Sequence, residues 1–285
     1  MAQSPAHKWG QIIGDFIESS IEQRLEEFAD QYNLYLDKRG ERKARSGKKV
    51  TWTDNFGNTH DLDYVLEKDG TDEHIGEPVA FIEIAWRRYT KHSRNKAQEI
   101  QGAVLPLYNK FAQSSPFIGA ILAGAFTQTA VRQLESLGFN VLYFPYDLIV
   151  KGFKDFYFDV GSEESMPEKD FRQKIEQWNK FQQKGKLASH LFQLNQKEVD
   201  DFFMQLEGSL TRAIKLISIT PLHGKKFELK KIEEAIHFLD QYSKGDHQLR
   251  LKKFELVIHY TNGDVISATF NSKNQAKRFL NTQLP

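Results

Sequence analysis

The sequence predicts an α/β protein: a mixed central sheet flanked by helices over residues 1–163, then a C-terminal α+β region over residues 164–285. Three observations predict it. The chain opens with apolar residues recurring at three- and four-residue steps, the mark of an amphipathic helix. Near-continuous runs of β-formers follow, with helical patterns between them, as strands buried on both faces require. After Gly161 the pattern changes to amphipathic helices and a late hairpin signal.

Trp9 to about Leu36 is predicted as one long helix, with Ile13, Phe16, Ile17, Ile21, Leu25, Phe28 and Tyr32 on its inner stripe. Leu36 to Lys49 is a basic connector holding Lys38, Arg39, Arg42, Lys43, Arg45, Lys48 and Lys49. Val50–Thr53 and Leu62–Leu66 are expected to pair across the turn Asp54–Asn58. Val79–Ile84 is apolar enough for a sheet centre. A helix capped by Ser93 or Asn95 is expected to run to about Phe111, kinked or ended by Pro106. Phe117–Gly124 is a buried strand, Thr127–Leu137 a helix closed by Gly138, and Asn140–Val150 a further strand containing Pro145. Beyond a linker at 162–168, helices are expected at Phe171–Phe181, Gln196–Leu206, Leu229–Tyr242 and Asn274–Leu280. A strand at Ala213–Thr220 and a hairpin of Lys253–Tyr260 with Asp264–Phe270, turning at Thr261-Asn262-Gly263, complete the list.

Composition narrows the chemistry. There is no cysteine, which excludes disulfides, iron–sulfur clusters and thiolate zinc and fits a cytoplasmic location. The N-terminus lacks the apolar run of a signal peptide, and the longest apolar stretch, Phe117 to Phe126, is too short to span a bilayer, so no membrane association is expected. Lys and Arg number 39 against 38 Asp and Glu, so the distribution of charge matters more than its sum.

Asp63 and Glu83 each stand among apolar β-formers. Carboxylates there are poor core residues and good ligands for a hard cation. Magnesium takes carboxylate, carbonyl and water oxygens, usually with one or two carboxylates from the protein. Glu83 and Ala85 share a face because strand side chains alternate, and the Ile84 carbonyl lies between them. Asp61 faces the same side as Asp63 and is the alternative ligand; Asp63 is preferred because it lies inside the strand pattern. No nucleophile elbow, Walker loop, dinucleotide-binding turn or HExxH helix competes.

Asp63 … Glu83-Ile84-Ala85, in register with this order of elements over roughly residues 10 to 155, resembles the D … (D/E)-x-K signature of the PD-(D/E)XK nuclease superfamily, which includes most type II restriction endonucleases. The resemblance implies a restriction-endonuclease-like core and a magnesium-dependent endonuclease acting on double-stranded DNA as a homodimer. It implies that Asp63, Glu83 and the Ile84 carbonyl hold Mg2+, that Glu18 (or Glu22) on the first helix supports the metal, and that residue 85 is catalytic. The C-terminal region would serve DNA recognition, dimerisation or both.

Two positions depart from the signature. Leu62 precedes Asp63 where the family has proline, and Ala85 stands where it has lysine. An alanine offers neither charge nor proton. Three explanations stand open: an engineered loss of lysine, a lysine that has migrated to Lys91 or Lys96, or a pseudo-nuclease that binds DNA without cutting it. Arg87, Arg88, Lys91, Arg94 and Lys96 occur without an acidic residue, with Tyr89 and His92 interleaved, and suit phosphate contact in all three cases. Lys43 and Arg45 of the connector are the further expected DNA contacts.

Overall fold

The structure is a computed structural model that describes residues 4–161, 166–222, 224–242 and 253–284, apart from the side chain of His92. Helix α1 (Pro5–Gln31) begins where Ser4 accepts a hydrogen bond from the His7 N–H, with proline at its first position. It stops five residues earlier than its periodicity suggests. Asn33 takes a left-handed φ of 52°, and the Leu34 N–H closes onto the Ala29 carbonyl. The chain then enters a strand, β1 (Tyr35–Lys38), that helical periodicity had masked.

The expected strand at 62–66 is broken in two. Strand β2 (Val50–Thr53) pairs with β3 (Thr59–Leu62) as a separate hairpin, whose turn is held by Asp54 accepting from the Phe56 and Asn58 N–H groups. Asp63 is a bend, and β4 (Tyr64–Lys68) departs from it into the main sheet. Strands β5 (Glu77–Arg87), β6 (Phe117–Gly124) and β7 (Asn140–Pro145) complete that sheet in the order β1-β4-β5-β6-β7. Pairing is antiparallel from β1 to β5 and parallel from β5 to β7. The crossovers are α2 (Ser93–Lys110), which continues through Pro106, and α3 (Gln128–Glu135), capped by Thr127. Pro145 ends β7 and opens α4 (Tyr146–Lys154), so the apolar stretch 140–150 is half strand and half helix.

The chain forms two compact units: Met1–Lys110 with Phe117–Gln205, and Phe111–Pro116 with Leu206–Pro285. The boundary expected at 163/164 therefore falls inside the first unit. Helices α5 (Glu168–Lys180) and α6 (Lys184–Leu194) and most of α7 (Gln196–Leu210) belong to it. The physical reason is aromatic packing. Trp178 of α5 lies against Phe16, Phe153 and Phe158, with ring centroids 5.1, 5.8 and 5.6 Å away. The linker expected at 162–168 lies partly outside the described residues.

The second unit is a four-stranded antiparallel sheet of β8 (Ile214–Pro221), β9 (Phe227–Leu229), β10 (Phe254–Tyr260) and β11 (Val265–Phe270), ordered β11-β10-β8-β9. Helices α8 (Ile232–Gln241) and α9 (Lys273–Asn281) bury Ala235, Leu239 and Phe279 with Ile217, Ile219 and Leu256 of the sheet. The whole is thus α/β, with a mixed central sheet flanked by helices and a separate antiparallel sheet C-terminally. Among the described residues no helix is long and apolar enough to cross a membrane.

Candidate functional site

The two faces of β5 have different owners. Gly14 of α1 lies against the Trp86 side chain, so even-numbered residues face α1. Arg87 reaches Glu99 of α2 at 4.0 Å, so Glu83, Ala85 and Arg87 face α2. Gly124, at φ 96°, ends β6 hard against the carbonyl of Arg87, where a Cβ would come within 2.1 Å. That close approach sets the end of β5 beside the site.

The register Tyr64↔Ile82 means that β4 stops pairing just before Glu83. The bend at Asp63 fills the place of the next rung. Its carboxylate accepts from the Ile84 N–H at 2.8 Å, and its own N–H donates to the Glu83 carboxylate at 3.1 Å. Each carboxylate is thus clamped to the other's segment. The N–H and C=O of a strand residue leave it on the same side, so the Ile84 carbonyl faces this open edge too.

Glu83 is 5% exposed. Burial, reinforced by the charge of Asp63, pushes its carboxyl up to about 8; the Lys96 ammonium and the Asp63 N–H pull the other way. Burial also raises Asp63, against the Ile84 hydrogen bond and Lys96. Glu18 is raised by burial and then by Asp63, Asp15 and Glu22, with Arg39 opposing. The charge of Asp63 therefore bears on both Glu18 of α1 and Glu83 of the strand. Asp63 and Glu83 have the donor chemistry of a hard-cation site: oxygen ligands, one half-buried and one buried, mutually repulsive, with a main-chain carbonyl beside them. Among the described residues no group of three or more His, Asp or Glu side chains stands ready to hold a metal.

The alternatives left open by sequence separate here. Asp61 turns to the β2–β3 hairpin, accepting from Lys49 at 2.5 Å and Thr51 at 2.7 Å. Glu22 accepts from Lys38 at 2.7 Å and Tyr64 at 3.4 Å, whereas the carboxyl of Glu18 is raised by burial and by the charge of Asp63. His60 contacts Asp54 at 3.1 Å, within the hairpin. Ala85 is 3% exposed, inside the fold and on the face of Glu83.

The basic residues divide. Lys91 and Arg94 are exposed beside the site segment, and Arg87 and Lys96 flank Glu99. Arg88 is turned inward: it donates to the Ala6 carbonyl and lies over the rings of Tyr89 and Phe171. Arg45 is built into the connector, its side chain 7% exposed, donating to the carbonyls of Lys38, Gly40 and Lys49 and pairing with Asp37. Lys43 is exposed but paired with Glu73 at 2.7 Å and Asp72 at 3.4 Å. Sequence reasoning missed the network behind these. Arg42 binds Glu67 bidentately at 2.7 and 2.9 Å, Asp37 at 3.0 Å and the carbonyls of Thr71 and His74. No local signal announces such pairing, because its members are 25 or more positions apart or lie in a connector that looks solvated.

No family model matches the chain, and no curated protein matches it. Among solved structures it is similar to a crystal structure of a protein of unknown function, AF1548, at 12% identity and a TM-score of 0.29, over 58% of this chain and 96% of that one. A likeness at that level assigns no activity.

Proposed function

We propose that this protein is a magnesium-dependent endonuclease that hydrolyses phosphodiester bonds in double-stranded DNA, in the manner of the PD-(D/E)XK enzymes its motif resembles. The observation that carries the reading is the clamped pair Asp63–Glu83, one half-buried and one buried carboxylate at an open strand edge, with the charge of Asp63 helping to raise Glu18. Like charges held together in a partly desolvated site cost stability, and folds retain such a cost where a cation or substrate offsets it. Asp63, Glu83 and the Ile84 carbonyl would hold Mg2+, which supplies Lewis acidity toward the phosphoryl oxygens. Glu18 adds negative charge on the α1 side. Lys91 and Arg94, exposed beside the site, suit contact with phosphate. The C-terminal residues 206–285 carry thirteen Lys and Arg against eight Asp and Glu, which suits them to a polyanion. Cutting both strands calls for two sites and hence for a homodimer.

The test is cleavage of supercoiled plasmid with magnesium, beside EDTA and the variants Asp63→Ala and Glu83→Ala, with calorimetric titration of Mg2+ as a second readout. Metal binding and cutting that both variants abolish support the reading. A chain that neither binds magnesium nor cuts, alone or as Ala85→Lys, sinks it. Ala85 favours a second reading, a non-catalytic DNA-binding protein on the same scaffold. Duplex binding with no cleavage by either chain would select it.

A further inference from the structure

Lys96 stands apart from the other cations of its segment. It lies in the first turn of α2, and its side chain is only 20% exposed, whereas Lys91 and Arg94 are exposed. Lysines are seldom so covered unless something holds them. Its one ion-pair partner among the described residues, Glu99, is itself exposed and 3.5 Å away. The same Glu99 oxygen is 4.0 Å from Arg87, which shares the β5 face with Glu83 and Ala85. The ammonium is thereby placed on the side of the sheet where a lysine at position 85 would project. It acts electrostatically on both Asp63 and Glu83.

We infer that Lys96 supplies, from the helix, the ammonium that position 85 does not supply from the strand, and that the chain as it stands is therefore catalytically competent. The inference rests on the nuclease reading. In the step it serves, a water oxygen forms a bond to phosphorus while the phosphorus–oxygen ester bond breaks. The water gives up a proton to solvent, and the departing alkoxide takes one from solvent. Lys96 stays protonated throughout. It donates a hydrogen bond to a non-bridging phosphate oxygen and offsets the charge gathering there.

Four chains compared with the parent test this: Lys96→Met, which keeps a buried stem without charge; Ala85→Lys; the double variant Ala85→Lys with Lys96→Met; and Asp63→Ala. Single-turnover plasmid cleavage with magnesium is read beside duplex binding in calcium, with melting curves to check folding. The parent is expected to cut. Lys96→Met is expected to cut at least ~100-fold more slowly with duplex binding retained. The double variant, with the ammonium moved to the strand, is expected to recover most of that loss, which a merely structural role for Lys96 would not allow. If the double variant does not fold, methylammonium added to Lys96→Ala takes its place, and rescue is again the supporting result. Lys96→Met that cuts like the parent overturns the inference. So does an inert parent that Ala85→Lys activates; loss of cutting in Asp63→Ala in the first case, and the cutting by Ala85→Lys itself in the second, leave the nuclease reading standing. Failure of every chain to cut or to bind magnesium removes both.

Discussion

At the scale of single residues, the cost of the Asp63–Glu83 pair should be visible in stability. The folded carboxyl of Glu83 is raised to about 8, above the roughly 4.3 of an unfolded glutamate. Between those values the folded state binds more protons than the unfolded one, so stability falls as pH rises through this window. The loss is on the order of a few kcal/mol, shared with Asp63 because the two titrate together. Glu83→Gln removes one of the two charges. We expect it to raise the melting temperature of the metal-free protein at pH 8, to change it little at pH 5, and to remove stabilisation by magnesium. Magnesium should stabilise the parent more at pH 8 than at pH 5, since the cation competes with protons for the same oxygens. Scanning calorimetry at both pH values, with and without magnesium, checks each statement. A variant less stable than the parent at pH 8 would mean that Glu83 is held by contacts of net benefit rather than by its role.

At the scale of elements, the connector between β1 and β2 carries a prediction of a different kind. Its sequence is that of a solvated cationic loop, yet Arg42 is buried between Asp37 and Glu67 and lies over the ring of Tyr35. Removing the guanidinium leaves Glu67 buried without a cation and Asp37 with Arg45 alone, so Arg42→Ala should cost about 3–5 kcal/mol. Urea denaturation measures it. A loss below about 1 kcal/mol would mean that water reaches the network. The same contrast explains which elements could be foreseen. Phe117–Gly124 was legible to the residue, because a strand buried on both faces is apolar throughout and flanked by loop residues. That Asp63 and Glu83 would meet was expected from two carboxylates among β-formers, and hydrogen bonds do join their segments, though Asp63 stands at a bend and not within a strand. The break at Asp63, the strand Tyr35–Lys38 and the helix after Pro145 were not. Each depends on pairing or packing by distant residues, Leu36 with Leu66 for example, which local periodicity does not contain. Charge runs misled for a related reason. Arg42 and Arg88 have partners remote in sequence and Arg45 is folded onto its own connector, so composition alone cannot tell them from the exposed Lys91 and Arg94.

At the scale of the whole molecule, the position of the domain boundary has a direct consequence. Residues 1–163 contain the whole central sheet and both motif carboxylates, and by sequence they look self-sufficient. They lack α5, whose Trp178 lies within 6 Å of three phenylalanine rings of that fragment, one from α1, one from α4 and one from the segment after it. They also lack Phe202, which packs edge-on to Phe117 of β6 at 5.4 Å. Burying large aromatic side chains is worth roughly 1.5–3 kcal/mol each, so a fragment that exposes this cluster forfeits most of the stability of an ordinary domain. A fragment of residues 1–163 is therefore expected to be aggregated or molten, with no cooperative melting transition. A fragment ending at Leu210, the last residue of α7, should melt cooperatively and still bind magnesium at the Asp63–Glu83 pair. It should bind duplex DNA more weakly than the full chain, with a shallower dependence on salt, because it loses the cationic excess of residues 211–285. Circular dichroism melting of both fragments, followed by duplex binding across a salt series, decides the matter. A cooperatively folded 1–163 fragment would restore the earlier boundary and make α5 to α7 an appendage. Equal salt slopes for the 1–210 fragment and the full chain would place all phosphate contact in the first unit.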